Sequence, residues 1–183
     1  MFSIVVPYRG DAKRRLPPEL RAGVALALFG DVVDACLPLG RVIVVTNDPS
    51  VVPSDAEVLA DPGGGQGAAV AAALARVEEH ALVVNADLPL ATPAALRRLA
   101  AAGLALVESA DGTTNALSLP DPARFAPLYG TGSAERFRAH APFATVVIQE
   151  LAEDVDTLAD LERLMPSSAG PRTRALLALL AAV

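Results

Sequence analysis

Asp87 closes the apolar run Ala81–Asp87 and stands immediately before Leu88-Pro89. A carboxylate at the end of a buried strand is held rigidly and is costly to bury unpaired, so a cation is expected beside it. Mg²⁺, a hard cation that takes oxygen ligands, suits that position. Asp154 and Asp156 lie two apart in Glu-Asp-Val-Asp-Thr. In an extended segment both carboxylates point to one face, where either can join Asp87 on a metal. The same stretch reads as a helix start, Asp156-Thr157 with Asp160 in the first turn, so capping competes for one of the two acids. The cations are as informative. Of 15 Lys and Arg residues, Lys13 is the single lysine. In an arginine-rich chain, as a GC-rich genome encodes, a lone lysine is either retained by chance on a solvated face or kept for chemistry. As a compact point charge it suits a phosphate, and Arg15 beside it can bind one in a bidentate manner.

A second stretch raises a different possibility. Gly63, Gly65 and Ala68 fit G-x-G-x-x-A, and Asp87 follows Gly67 by about 20 residues, as the dinucleotide fingerprint asks. That fingerprint needs its glycines directly after a first strand. Here Asp61-Pro62 intervenes, two strands come earlier, and Asp87 runs into Leu-Pro-Leu. The glycines read better as a turn that lets backbone approach a ligand closely. The Asp-Val-Asp-Thr string is also near the D-x-D-x-T of aspartyl phosphatases. Its Thr falls one position early, and that motif belongs on a first strand.

These groups need a scaffold. With 183 residues the chain can build one domain, 1–183, around a real core. It is 52% hydrophobic but only 4% aromatic, so the core must be Ala, Val and Leu. A net charge of −6 argues against a protein that coats nucleic acid and requires a local cation cluster for any anionic substrate. The single Cys36 cannot form an internal disulfide and reads as a buried thiol in a reducing compartment. The N-terminal charges follow the apolar run, so it is no signal peptide. No continuous apolar run reaches 18 residues, so no membrane span is expected. A cytoplasmic protein is the expectation.

Short, β-branched apolar runs predict strands at Phe2–Pro7, Arg41–Asn47, Ala81–Asp87, Leu104–Ser109 and Ala144–Glu150, with a short one in Ala-Glu-Val-Leu, 56–59. Helical patterns span Pro17–Leu37, Gly65–His80, Thr92–Ala102, Thr157–Met165 and Pro171–Val183, with another in 134–141. The alternation predicts an α/β fold: a Rossmann-like three-layer sandwich with a mostly parallel mixed sheet. In such sheets ligands sit at the carboxyl ends of strands. The segments that follow the strands are the ones carrying Lys13, Gly65, Asp87, Thr114 and the chain's three Asn residues, Asn47, Asn85 and Asn115.

Four strings, in order from residue 6 to 161, carry a resemblance. Val-Pro-Tyr-Arg-Gly-Asp-Ala-Lys-Arg-Arg-Leu, 6–16, is similar to a V-P-x-K…A-K-S-R-L opening. Asn-Ala-Asp-Leu-Pro, 85–89, is similar to A-D-L-P. Gly-Thr-Thr-Asn-Ala-Leu, 112–117, with Tyr-Gly-Thr-Gly-Ser, 129–133, is similar to G-T-N-A-L followed by F-G-x-x-S. Asp154–Leu161 resembles D-x-D-T-x-x-D-L. Together the chain resembles the 2-phospho-L-lactate and phosphoenolpyruvate guanylyltransferases of coenzyme F-420 biosynthesis, within the MobA-like nucleotidyltransferases of glycosyltransferase-A-like fold. Departures fall in two loops: Arg9 stands where Lys is common, Arg14 where Ser is common, and Gly-Gln-Gly-Ala-Ala, 65–69, where G-L-N-x-A is usual.

The resemblance implies transfer of GMP from GTP to a phosphorylated three-carbon acid, with release of pyrophosphate. It implies Lys13 and Arg15 on the triphosphate, Gly65 and Gly67 beside the nucleotide, and Mg²⁺ on Asp87 with Asp154 or Asp156. Thr114, or Thr113 beside it, joins Gly130 and Ser133 on the acid. Phosphoenolpyruvate is favoured over 2-phospho-L-lactate and 3-phospho-D-glycerate by the bacterial cast of the composition. A downstream transferase of the pathway would take the product, and the apolar C-terminal helix permits a homodimer. The alternatives are another MobA-like nucleotidyltransferase, which would open on a glycine-rich loop absent here, or a non-catalytic nucleotide- or NAD-binding domain.

Overall fold

A computed structural model describes residues 2–10, 13, 15–164 and 168–181. Arg14 and the helix ends expected at Met165 and Val183 fall outside them. The chain order is β1 (Phe2–Pro7), α1 (Pro18–Cys36), β2 (Gly40–Thr46), β3 (Glu57–Ala60), α2 (Gln66–Leu74), β4 (Ala81–Val84), α3 (Pro93–Ala101), β5 (Ala105–Glu108), β6 (Thr114–Leu119), α4 (Ser133–His140), β7 (Ala144–Thr145), α5 (Gln149–Ala152), α6 (Leu158–Arg163) and α7 (Pro171–Leu180). The strands form one sheet in the order β3-β2-β1-β4-β6-β5-β7. All pairings are parallel except those of β6, which runs against both β4 and β5.

The strand alternation sorts side chains onto two faces. Ile4, Val6, Val42, Val44, Leu82 and Val84 pack under α1 and α3. Val5, Ile43, Val45, Ala81, Val83 and Leu117 pack under α2 and α4. This is the expected three-layer sandwich. A third cluster lies beside it, with Leu16, Val24, Leu28, Val155, Leu161 and Leu164 sealed by Leu176 and Leu177.

Three expectations are corrected. The segment after β5 is a strand in its own right, β6, buried along its whole length. Ser109 and Gly112 close a tight turn, with Ser109 N donating to Thr113 O and Gly112 N to Ser109 O. Gly112 takes the positive φ of 80° that this reversal requires. The strand expected over Ala144–Glu150 pairs only at Ala144–Thr145. At the sheet edge the chain turns away, which buries Ile148 and Leu151 under the first face. The helix expected to reach His80 ends at Leu74, because Val77 folds back into the second face before β4 begins.

The helix starting at Pro18 is long and apolar enough, by length and composition alone, to cross a membrane. The continuous-run test missed this because Asp31 and Asp34 interrupt it. In the fold it is a core helix: Val24, Leu28, Phe29, Val32 and Val33 are buried. Asp31, 4% exposed, accepts from Arg172 N at 2.9 Å and Thr173 N at 2.8 Å. A buried carboxylate thus satisfies two orphan donors at the start of α7. Gly170 has no room for a Cβ against Asp31. Cys36 is fully buried, and burial pushes its thiol pKa up to about 12, so it is an inert core residue. Asp31→Ala should unlatch α7 and lower the free energy of unfolding by about 3 kcal/mol, from two charge-assisted bonds lost. Urea denaturation of the two proteins measures it.

Candidate active site

Three elements bring the acids together. Asp87 follows β4 by three residues. Asp154 and Asp156 lie in the extended stretch between α5 and α6. Val155 between them is 1% exposed and anchored in the third cluster. An extended residue buried one way sends both neighbours the other way. Val155 N also donates to Asp87 O at 3.2 Å, which ties this stretch to the end of β4. Carboxylate oxygens of Asp87, Asp154 and Asp156 lie within 4.8 Å of one another.

Capping does not compete for the two acids. Thr157 is the N-cap of α6 and forms a capping box with Asp160, whose Oδ2 accepts from both Asp156 N and Thr157 N. Asp154 Oδ1 accepts from Ser109 Oγ at 2.7 Å. Asn115 steadies the same stretch by donating to Leu151 O and Ala152 O, both at 3.1 Å.

Lys13 joins the cluster from the opening loop. Its Nζ donates to Asp87 Oδ2 at 2.6 Å and Asp156 Oδ1 at 2.9 Å. Leu16, 1% exposed, anchors that turn, its N donating to Lys13 O. Burial by itself would depress the ammonium pKa; Asp87 and Asp156 more than offset this and hold it above the ordinary lysine value. Among the described residues Asp154 has no such partner. Burial, with Asp87 and Asp156 nearby, raises its pKa above the usual aspartate value despite the bonds from Ser109 and Asn115.

Three carboxylates thus face one ammonium, and Asp87 Oδ1 is buried with no hydrogen-bond partner among the described residues. An acceptor-only oxygen orphaned inside an acidic cluster fits a divalent cation, and the all-oxygen donor set fits Mg²⁺.

The cluster forms the wall between two clefts. One, of about 140 Å³, is lined by Tyr8, Arg9, Lys13, Asp61, Gln66, Asn85 and Asp87. It lies at the carboxyl ends of β1, β2 and β4, where ligands bind in open α/β sheets. The other, of about 310 Å³, is lined by Arg15, Ser109, Asp111, Asp154, Asp156 and Arg163. Lys13 and Arg15 therefore face different clefts, and Arg15 is an exposed side chain 4.0 Å from Asp156.

The remaining expected residues separate into two groups. Gly65, Gly67 and Gly130 line a third cleft with Pro127 and Tyr129. A Cβ at Gly67 would stand 2.7 Å from Pro127, so glycine there permits this loop contact. Thr114 and Ser133 are buried, and the Ser133 hydroxyl donates to Thr114 Oγ1 at 3.0 Å. Thr113 instead is tied to Asp111 by its N and hydroxyl. Residue-by-residue reading missed Gln66, Asn85 and Ser109 as parts of the site. Only the placement of the asparagines at strand ends hinted at one of them.

The mostly parallel mixed sheet between helical layers is a fold shared with solved nucleotidyltransferase structures. The fold matches a nucleotidyl transferase from Methanothermobacter at a TM-score of 0.68 and 19% identity, covering 89% of this chain and 95% of that one. It also matches 2-C-methyl-D-erythritol 4-phosphate cytidylyltransferase from Thermus thermophilus at 0.60 and 16% identity, covering 98% of each. Residues 25–141 match the MobA-like NTP transferase domain. Proteins named phosphoenolpyruvate guanylyltransferase from Thermomonospora curvata and Streptomyces coelicolor are 34% and 36% identical, each covering 97% of this chain and 89% and 96% of their own length. One named 2-phospho-L-lactate guanylyltransferase from Natrialba magadii is 34% identical, covering 88% of this chain and 82% of its own. The chain belongs to the MobA-like NTP transferase family, in its phosphoenolpyruvate and 2-phospho-L-lactate guanylyltransferase group.

Mg²⁺ should raise the melting temperature of the wild-type protein, and Asp154→Asn should weaken Mg²⁺ affinity at least about tenfold. Because its raised pKa brings Asp154 closer to neutral pH, protons compete for it, and the affinity should fall as pH drops through that value. Calorimetric titration at several pH values checks both.

Proposed function

We propose that this protein transfers the guanylyl group of GTP to the phosphate of a three-carbon phospho-acid, phosphoenolpyruvate in preference to 2-phospho-L-lactate, and releases pyrophosphate in coenzyme F-420 biosynthesis. The observation that carries the reading is the convergence of Asp87, Asp154, Asp156 and Lys13 on the wall between two clefts. Two anions can be brought together there. The names of relatives that match over most of the chain support this choice of substrates.

The chemistry requires little proton transfer. A phosphate monoester with a second pKa near 6 is already mostly dianionic at neutral pH. One of its oxygens attacks the α-phosphorus of GTP. The bond from that phosphorus to the bridging oxygen breaks, and pyrophosphate leaves with the electron pair. What the protein supplies is alignment and charge compensation. In this reading the first cleft takes the nucleotide and the second takes the acid. Lys13 keeps Asp87 and Asp156 at a fixed separation and adds a positive charge at the reacting end of the first cleft. Arg15, exposed at the rim of the second, offers a bidentate guanidinium to phosphate or carboxylate. Asp87, Asp154 and Asp156 would hold Mg²⁺. When bound, that ion neutralises phosphate oxygens and stabilises the charge that develops in the transfer. Gly65 and Gly67 bring backbone close to the nucleotide. Gly130 lines the same third cleft as Gly65 and Gly67 and the Thr114–Ser133 pair is buried, so the two-cleft reading gives these three residues no direct contact with the acid in the second cleft. In this reading the reaction runs in the cytoplasm, and the product passes to the pathway's next transferase.

Pyrophosphate release with GTP and Mg²⁺ should require phosphoenolpyruvate or 2-phospho-L-lactate and should be absent with 3-phospho-D-glycerate or no acid. Asp87→Ala should reduce it by at least about a thousandfold. Release with ATP or CTP but not GTP, or an Asp87→Ala rate near wild type at saturating Mg²⁺, would overturn the assignment.

A further inference from the structure

The wall of the first cleft contains a chain of hydrogen bonds whose direction is dictated by chemistry. The carbonyl oxygen of Thr114 can only accept, so Asn85 turns its Nδ2 towards it, at 3.2 Å. The Oδ1 of Asn85 is left to accept, which it does from Gln66 Nε2 at 2.7 Å. Neither end can slip. Asn85 N donates to Asn115 O at 3.0 Å, which extends the β4–β6 pairing, and Gln66 is the first residue of α2. A side-chain amide free in solution can turn either end to a ligand. Here the nitrogen of Gln66 is committed to Asn85. Its Oε1 has no partner among the described residues, and Gln66 lines the cleft that also holds Lys13 and Asp87.

We infer that Gln66 is a specificity-determining residue for the nucleotide: its Oε1, held in one orientation by Asn85, accepts a hydrogen bond from the 2-amino group of guanine or from a ribose hydroxyl. Asn85 acts through Gln66 and is the positioning residue. The inference rests on the reading that the first cleft takes the nucleoside triphosphate. The shared chemistry is a single donor, which guanine offers as its 2-amino group and ribose as its 2′- or 3′-hydroxyl.

The test is equilibrium binding of Mg²⁺-GTP, ITP, 2′-deoxy-GTP and 3′-deoxy-GTP to wild type, Gln66→Met and Asn85→Ala. Calorimetry is used with no acid present, so no turnover is needed. Methionine keeps the length and removes the acceptor; Gln66→Ala serves as a second variant should Gln66→Met melt lower than wild type. Gln66→Met should bind GTP about tenfold more weakly, the scale of one net hydrogen bond. The analogue lacking the donor should bind wild type about tenfold more weakly than GTP does, yet bind the Gln66 variant as well as GTP does. Loss with ITP identifies the base; loss with a deoxy analogue identifies the sugar. Asn85→Ala should lose the same discrimination in part, because the amide can then turn. Equal GTP affinity in wild type and variant overturns the inference. So does a weakened variant that still discriminates every analogue as wild type does. If wild type binds GTP but releases no pyrophosphate with any phospho-acid, the inference stands and the proposed reaction fails; if it binds no GTP, both fail.

Discussion

Three carboxylates held within a few ångströms of one another repel. Two unit charges 4 Å apart at an effective dielectric of 20 interact by about 4 kcal/mol, and here three such pairs meet with partial burial. Nothing about the chain near Asp87 is intelligible without something that overcomes this. Lys13 supplies one positive charge and spends it on Asp87 and Asp156. Asp154 is left facing both, and its burial, with those two neighbours adding to it, holds its proton more tightly than usual. The remaining imbalance is the physical reason a divalent cation suits the cluster.

Much of the architecture can be understood as the means of sustaining that arrangement. Val155 is buried so that its two neighbours cannot turn away. The capping box of Thr157 and Asp160 satisfies the start of α6, so neither Asp154 nor Asp156 is drawn into capping. Asn115 holds the carbonyls that end α5, and Leu16 anchors the turn that delivers Lys13. Behind these, α7 closes the third cluster and is itself latched by Asp31 on α1. A chain of local satisfactions thus stabilises a centre that would otherwise open.

The reversed strand β6 gives the site its breadth. An antiparallel neighbour begins where β4 ends, so Thr114 and Asn115 enter the sheet on the same edge as Asn85 and Asp87. A parallel strand would have delivered its carboxyl end instead and required a helical crossover. The tight turn at Gly112 makes the reversal, and places Ser109 against Asp154 on the way. The cluster consequently has a cleft on each side, the arrangement that a reaction between two bound anions requires.

The strongest local patterns were legible without coordinates. Continuous apolar runs gave away β1, β2, β4 and β5. Thr92 before Pro93 marked the start of α3, and its hydroxyl does accept from Ala95 N. Asp87 at a strand end and the Asp154–Asp156 spacing pointed to one metal site from residues about 70 apart in sequence. What local patterns could not convey was anything decided by competition between distant segments. Thr114–Leu119, its apolar run broken by Asn115 and Ser118, does not announce a strand, and becomes one because two strands need a partner between them. Ala144–Glu150 has enough, yet leaves the sheet because Ile148 and Leu151 gain more burial against the first face than an edge strand allows. The lone lysine could be singled out from composition, but not that it would sit among the acids, since this depends on Leu16 finding the third cluster. Gln66 and Asn85 lie within or beside the quoted strings at positions those patterns leave unspecified or fill differently, so neither was marked as a site residue. Residue type and spacing determined which side chains could do chemistry; tertiary packing alone decided which of them meet and which way each polar atom points, because burial and hydrogen-bond satisfaction are properties of the whole fold.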